Sequence, residues 1–229
     1  MKTKKILFYL LAGLLGGCIP VLSLHPLYNE KDVVFDEKLL GSWVEDPNSP
    51  ETTCEFKRAD TNDNAYRLIF SDKEGRKGLF VAYLVKLKDK LFLDVCSATW
   101  EQQLEQQDPN NVNFLVYNYY NAFFLIPAHT FIKINSVEPQ LKMQVTDDEK
   151  MKEFLKADPD AVKHEFLEEG LGPGHGLRSI LTASTKELQA FILKYADNPR
   201  VFTDAIVLGR KKAADPNVPD GLKPHKTQK

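Results

Sequence analysis

Four side chains of this sequence are the first candidates for a general base or a nucleophile. They are the histidines His129 and His175 and the cysteines Cys54 and Cys96. Nucleophilic catalysis needs a base beside the nucleophile, but neither cysteine has a histidine near it in sequence, and no Gly-x-Ser-x-Gly turn is present. His129 lies in an apolar strand pattern that is typical of a hydrogen-bonded structural histidine. We therefore expect no catalytic residue; a hydrolase with His129 or His175 as its base is the alternative.

Two further motifs begin like ligand sites but lack the residues that binding would need. The run His164-Glu165-Phe166-Leu167-Glu168 starts like the zinc helix His-Glu-x-x-His, yet glutamate stands where the second histidine ligand is required. The glycine-rich run Gly170–Gly176 lacks the Gly-Lys-Ser/Thr ending of a phosphate loop, and Pro173 removes a backbone donor. We interpret it as a flexible connection between two helices. No metal and no cofactor are expected.

Cys18 completes a different kind of motif near the start of the chain. A basic start is followed by about ten apolar residues, too few for a membrane-spanning helix, and then by Leu15-Gly16-Gly17-Cys18. This order resembles the lipobox of bacterial lipoprotein precursors. The resemblance implies that Cys18 carries a diacylglyceryl group and that the chain is cut just before it. An ordinary signal peptide, cut at Gly13 or Ser23, is the alternative.

The same resemblance implies a location and a means of attachment. One acyl chain binds a bilayer only marginally, whereas two or three chains such as palmitate form a stable anchor. Ile19, rather than aspartate, follows the cysteine, which implies the outer membrane if the host has two. Without residues 1–17 the chain keeps 27 of its 30 basic residues against 32 acidic ones, a net charge of −5. Such a body does not attract nucleic acid or anionic lipid, so the acyl anchor is the expected membrane contact.

Cys54 and Cys96 would remain in an exported chain, where disulfides can persist. A bond between them would close a loop of about 42 residues, worth roughly 4 kcal/mol in the chain-entropy model. Two buried thiols are the other possibility, because free cysteine packs as a small hydrophobe. The run Leu91–Cys96 does not show which side is inside, so the sequence leaves both open.

The elements that would position these side chains are mainly β-strands. Segments rich in aromatic or branched residues, separated by turn residues, predict strands at Ser42–Glu45, Thr52–Arg58, Ala65–Ser71, Gly78–Leu87, Lys90–Cys96, Ile132–Asn135, Leu141–Val145 and Ala205–Arg210. Residues 112–131 predict two more strands, broken near Pro127. Spacing of about ten residues between neighbouring strands is typical of an antiparallel meander.

Helices are predicted between the later strands. Segments 146–157 and 184–196 both begin with capping-box spacing, in which a hydroxyl residue precedes a glutamate by three positions. A further helix is predicted from Asp160 to Glu168. Residues 36–40 predict a short helical turn, and residues 212–229 have the composition of a disordered tail.

Gly41-Ser42-Trp43 opens the first strand of the meander and resembles the Gly-x-Trp motif of lipocalin-like proteins. The resemblance implies a barrel whose closed end is plugged by Trp43, packed under an arginine of the last strand, a place that Arg210 takes here. Such a cation–π stack is worth about 0.5 to 2 kcal/mol. Residues 25–28 and 39–43 also resemble uncharacterised bacterial lipoproteins, and this resemblance implies no activity.

We therefore expect a mainly β (α+β) fold. It is an antiparallel lipocalin-like meander or barrel, closed or incompletely closed, with two or three helices inserted before the last strand. The expected organisation is a lipoprotein signal peptide (1–17), a leader packed on the domain (18–36), one β domain (37–211) with a helical insertion (146–196), and a tail (212–229).

The expected function is non-enzymatic. Either the barrel binds a small apolar ligand, or the protein has a structural or interaction role with another envelope protein. Five aromatic residues are candidates for lining a ligand cavity: Phe80, Tyr83, Tyr117, Tyr119 and Phe123. Aromatic side chains at strand spacing are first of all core residues, so a filled barrel would favour the interaction role.

Overall fold

The structure is a computed structural model that describes residues 20–47, 52–59, 64–72, 77–97, 126–168 and 177–211. Twelve strands and two α-helices lie within these ranges. In chain order they are β1 (Leu22–Ser23), β2 (Val33–Val34), β3 (Gly41–Val44), β4 (Thr53–Arg58), β5 (Ala65–Ser71), β6 (Lys77–Leu87), β7 (Lys90–Ser97), β8 (His129–Ser136), β9 (Leu141–Val145), α1 (Asp148–Ala157), β10 (His164–Glu168), β11 (Leu177–Leu181), α2 (Thr185–Lys194) and β12 (Ile206–Arg210). Short 3-10 helices span Glu30–Asp32 and Glu37–Leu39. None of the described helices has the length and apolar character needed to cross a bilayer.

Eight antiparallel strands close into a barrel. Each strand from β3 to β9 pairs with the next along the chain, and β12 lies between β9 and β3. β12 therefore closes the barrel, because it pairs with both β3 and β9, the two ends of the meander. This confirms the mainly β fold, and it shows that the lipocalin-like barrel is closed.

The barrel interior is filled by side chains. Period-two alternation sends every second side chain of each strand inward, and Trp43 and Tyr66 are the largest of those that are fully buried. Around them pack Leu39, Cys54, Phe56, Leu68, Phe70, Ala82, Leu84, Leu93, Val95, Ile134, Leu141, Met143, Ile206 and Leu208. The inside of the barrel is thus a packed core.

A second core lies on the outer face of the barrel. Helices α1 and α2 place one apolar face each against it, with Met151, Phe154 and Leu155 from α1, and Leu188, Phe191 and Ile192 from α2. Both helices begin at a capping residue whose side chain accepts a backbone N–H, Asp147 for α1 and Ser184 for α2. Residues 21–27 add Val21 and Leu27 to this core.

Of the four remaining described strands, β2 pairs with β6, and the other three extend the sheet from β8. β1 pairs with β8 through Ser23 and His129, β11 pairs parallel to β1, and β10 pairs antiparallel to β11. We call β10, β11 and β1 the wing. One face of the wing covers the second core, because Leu181 and Val21 are buried there.

The structure corrects the prediction of a helix from Asp160 to Glu168. Residues His164–Glu168 form β10, with Phe166 opposite Ser179 and Leu167 opposite Arg178 on β11. The alternation of half-buried His164 and Phe166 with exposed Glu165 and Leu167 has a strand period. The described insertion accordingly holds two helices and a β-hairpin, and the Gly170–Gly176 run connects two strands rather than two helices.

Candidate functional site

The end of the barrel near Trp43 is closed by a stack of an arginine on a tryptophan. Trp43 on β3 lies opposite Arg210 on β12, and the guanidinium carbon is 4.1 Å from the centroid of the indole ring. The indole is fully buried, and its Nε1 donates a hydrogen bond of 2.8 Å to the backbone oxygen of Leu39. Arg210 also donates to the backbone oxygens of Lys38 and Leu40. The structure thus brings the predicted pair together and ties it to the 3-10 helix that precedes β3.

Gly41 explains why the motif begins with glycine. Its φ of 111° is in the region that side chains rarely adopt, and a Cβ atom built there would lie 2.7 Å from Nη1 of Arg210. A larger residue would strain the backbone and displace the guanidinium. Gly41, Trp43 and Arg210 therefore form one structural unit, which we call the barrel end. The indole N–H and the guanidinium of this unit donate their hydrogen bonds to backbone oxygens of the same protein.

A second arrangement of polar side chains lies on the outer face of the barrel. It is covered by residues 26–32, which we call the N-terminal segment. Asp94 on β7 is fully buried. Its Oδ2 accepts a hydrogen bond of 2.6 Å from the backbone N–H of Leu27, and its Oδ1 lies 2.6 Å from Nδ1 of His129 on β8. The side chain of His129 is 12 % exposed. One carboxylate thus joins two barrel strands to residue 27.

Two tyrosines lie beside this carboxylate. Tyr83 on β6 is opposite Asp94, and the rings of Tyr28 and Tyr83 are 4.5 Å apart. Burial raises the pKa of Tyr28 above its usual range, and Tyr83 and Asp94 raise it further. The surroundings of Tyr28 therefore favour the neutral phenol.

Cys96 completes what we call the Asp94 cluster, which consists of Tyr28, Tyr83, Asp94, Cys96 and His129. Cys96 is opposite His129, and its Sγ lies 3.7 Å from the backbone oxygen of Val81. Burial, with a smaller effect of Asp94, raises the pKa of the Cys96 thiol to about 11. An activated cysteine has a lowered pKa instead, so Cys96 has the properties of a structural thiol.

The N-terminal segment is held by further hydrogen bonds from α2. Thr185 Oγ1 donates to the backbone oxygen of Pro26, and Gln189 Nε2 donates to the backbone oxygen of Leu27, each at 2.8 Å. Gln189 also donates to Asp32 at 2.8 Å. Residues 26–32 are therefore fixed from both sides, by Asp94 on the barrel and by α2.

A carboxylate that binds Nδ1 of a histidine can orient the ring so that Nε2 acts as a base. Within the described residues, the hydrogen bond of His129 is to Asp94, and Cys96 donates to Val81 instead. Because the nearest thiol is not activated, the arrangement is better suited to fixing the N-terminal segment than to attacking a substrate. No group of three or more metal-ligand side chains occurs in the described part of the chain.

The predicted cavity residues do not form one site. Phe80 packs against the barrel core, whereas Tyr83 packs against the second core and Tyr28 on the outer face. Residues three apart on a strand point to opposite faces, so Phe80 and Tyr83 could not line one cavity. The other predicted residues, Cys18, Tyr117, Tyr119, Phe123 and His175, lie outside the described residues.

Cys54 and Cys96 are free thiols. Cys54 is opposite Phe70 and lies in the barrel core, whereas Cys96 is opposite Val81 on the outer face. In the sheet, β5 and β6 lie between β4 and β7, and neighbouring strands are about 4.8 Å apart. The two sulfur atoms are therefore too far apart, and on opposite faces, to form a disulfide. The structure therefore decides between the two possibilities that the sequence left open.

Beside α2, the described surface has an open cleft of about 460 Å³. Pro159, Ala161, Ala190 and Phe191 are among its lining residues, and a 2.9 Å ion pair of Lys163 with Glu187 lies along it. Because the cleft is wide open and shares these residues with the second core, it does not resemble an enclosed ligand site.

The sequence did contain a signal for the Asp94 cluster. Asp94 is a single carboxylate within the apolar strand Leu91–Cys96, and such a residue is costly to bury without partners. The partners could not be found from the sequence, because residue 27 lies 67 positions away and residue 129 lies 35 positions away.

No protein-family model, no curated protein and no solved structure matches this chain.

Proposed function

We propose that this protein is a lipid-anchored, non-catalytic protein of the cell envelope, with a rigid barrel that acts as an interaction module close to the membrane. The anchor is an acylated Cys18, in the outer membrane where the host has two. One observation carries the proposal: the chain is fixed on the barrel almost directly after the lipid-attachment position. Val21, three residues after Cys18, is 2 % exposed.

The fixed segment limits how far the barrel can move from its anchor. Three extended residues span at most about 11 Å. From there on, β1, Asp94 and α2 hold the segment on the domain. A free linker would let the domain range over tens of ångströms, whereas this arrangement supports a domain that stays beside the bilayer.

The packed barrel supports an interaction role over ligand transport. Trp43 and Tyr66 lie among the aliphatic side chains of the interior, each with no exposed surface. A carrier of small apolar molecules needs an internal cavity of a few hundred Å³. Among the described residues, the side chains that point into the barrel are buried against one another in one apolar cluster.

Intact-mass measurement of the protein, extracted from membranes with detergent, tests the proposal. The expected product begins at Cys18 and carries the added mass of two or three acyl chains. Cys18→Ala should abolish the added mass and the flotation with vesicles, whereas the matched control Cys96→Ala should keep both. An unacylated chain that begins after Gly13 or Ser23 would contradict the anchor. A stoichiometric apolar ligand in the native spectrum would contradict the interaction role.

The Asp94–His129 pair favours one second candidate, an envelope hydrolase with His129 as its base. It requires a nucleophile or an activated water at Nε2 of His129. Hydrolysis of a panel of ester and amide substrates, lost in His129→Gln but kept in the control His164→Gln, would establish it. Equal background rates of hydrolysis for the unaltered protein and the two variants would exclude this candidate.

A further inference from the structure

We propose that the outward face of the wing lies against the lipid bilayer. This inference rests on the proposed acyl anchor at Cys18. It adds a defined surface of the protein, and hence an orientation, to the attachment that the anchor alone provides.

The alternation of burial along the wing strands defines this face. Along β1 and its two flanking residues, Val21 and Ser23 are buried, so Leu22 and Leu24 point to the other side, where Leu24 is 39 % exposed. On β11, Ser179 and Leu181 are buried, and Ile180 between them is half-buried.

The pairing register places these apolar side chains on one surface. Leu22 is opposite Ile180, so both point outward, away from the second core. On β10, Leu167 is opposite Arg178, two positions from Ile180, and Leu167 is 51 % exposed. We call the apolar part of this surface, formed by Leu22, Leu24, Leu167 and Ile180, the wing patch; Glu165, opposite Ile180, and Arg178 lie on the same face.

Exposed apolar side chains are concentrated near this patch. Within the described ranges the large apolar residues with the greatest exposure are Leu24, Ile126, Leu167 and Val207. Leu24 and Leu167 belong to the patch. Ile126 is three residues before His129, and His129 pairs with Ser23 of β1. Val207 is on β12, between β3 and β9 of the barrel.

The position of the anchor identifies the occupant as lipid. Leu22 is four positions after Cys18, a reach of at most about 14 Å. Acyl chains on Cys18 insert into the hydrocarbon, so Leu22 and its neighbours are held within reach of the headgroups. Leucine and isoleucine side chains gain by leaving water at that interface, and a long side chain such as Arg178 can keep its charge at the level of the headgroups.

Accessibility of a nitroxide label tests this orientation. The acylated full-length protein, in a Cys96→Ala background, is labelled at Leu167→Cys or at the matched control Val207→Cys. Both are exposed apolar positions on strands, so the labels should be equally well tolerated. Leu24→Cys is a second patch position if Leu167→Cys fails to fold by circular dichroism.

Each protein is reconstituted in vesicles of phosphatidylethanolamine and phosphatidylglycerol. We expect the patch label to lose most of its exposure to a water-soluble relaxation reagent and to gain exposure to oxygen, while the Val207 label stays exposed to water. A patch label that stays as exposed to water as the control, in protein that floats with the vesicles, would overturn the inference and leave the anchor intact.

Two other outcomes would also overturn it. Spin–spin broadening between patch labels at low protein density would show that a second copy covers the patch. Protein that carries no acyl mass and does not float would remove the anchor, and with it the reason for lipid contact.

Discussion

At the barrel end, the charged side chain of Arg210 is exposed and the aromatic ring beneath it is buried. In the Asp94 cluster the order is reversed, because the carboxylate is buried and the tyrosine ring of Tyr28 is only partly covered. Both regions join parts of the chain that are far apart in sequence. The first therefore depends on shape and stacking, whereas the second depends on every hydrogen bond of a buried acid. Four predictions test this difference, from the largest expected effect to the smallest.

Trp43→Ala should have the largest effect on stability. It removes the largest side chain of the barrel core, and substitutions of this kind cost about 3 to 5 kcal/mol. Chemical denaturation followed by circular dichroism measures the change. Trp43→Phe keeps a ring beneath Arg210 and should lose less; equal losses in the two variants would show that the stack is unimportant.

Asp94→Ala should cost about 3 kcal/mol, because it leaves the buried N–H of Leu27 and the ring of His129 without a partner. The loss should be local, so hydrogen exchange should accelerate in residues 22–32 before it does in β3 and β12. The control Asp204→Ala changes an exposed carboxylate and should leave exchange unaltered. Uniform acceleration over the whole barrel would contradict the assignment of Asp94 to the N-terminal segment.

The two thiols report on the two regions as the pH rises. Burial raises the pKa of Cys54, opposite Trp43, to about 12, and that of Cys96 to about 11, from an ordinary value of 9.0. Because only the unfolded chain loses these protons between pH 9 and 11, the free energy of unfolding should fall as the pH rises, by at most about 1.4 kcal/mol per pH unit for each thiol. The stability contribution is fully present below pH 9.

Cys96→Ala should flatten this decline between pH 9 and 11, and a pH titration of the denaturation midpoint measures it. Alkylation followed by mass spectrometry gives a second readout. In native protein without reductant, Cys96 should react slowly and Cys54 more slowly still, and both should react once the protein is unfolded. A thiol pair that stays unreactive after unfolding would instead reveal a disulfide.

Arg210→Gln should have the smallest effect, about 1 kcal/mol, because an exposed cation–π stack contributes about 0.5 to 1 kcal/mol and its hydrogen bonds are partly replaced by water. Thermal denaturation detects such a change. Arg210→Lys keeps the positive charge but not the planar guanidinium that stacks on the indole, so its loss of stability should be nearly as large. Lys211→Gln, which alters the next exposed cation, is the control and should match the unaltered protein.

Local patterns predicted most of the barrel strands. Ala65–Ser71 was predicted with its observed bounds, because its aromatic and branched residues alternate clearly. The strand pairing that closes the barrel through β12 needed the structure, since residue 210 meets residue 43 only in the folded chain. Gly-x-Trp nevertheless led to Arg210 through its family resemblance.

The errors have physical causes that are visible in particular residues. A helix was predicted from Asp160 to Glu168, whereas residues His164–Glu168 form a strand whose burial follows a period of two once it pairs with β11. Phe80 and Tyr83 were placed in one cavity although an odd separation on a strand excludes it. The Asp94 cluster was missed because its hydrogen bonds join segments 67 and 35 residues apart.

The position of β12 in the barrel affects how the chain can fold as it is made. Strands β3 and β9 have no barrel partner on one side until residues 206–210 pair with both. A chain that emerges from its N-terminus therefore has two open sheet edges, each able to pair with another chain, until residues 206–210 have been made. With the anchor that we propose at Cys18 and the closing strand at Ile206–Arg210, tethering would precede completion of the fold, and the unclosed barrel would need protection at the membrane surface.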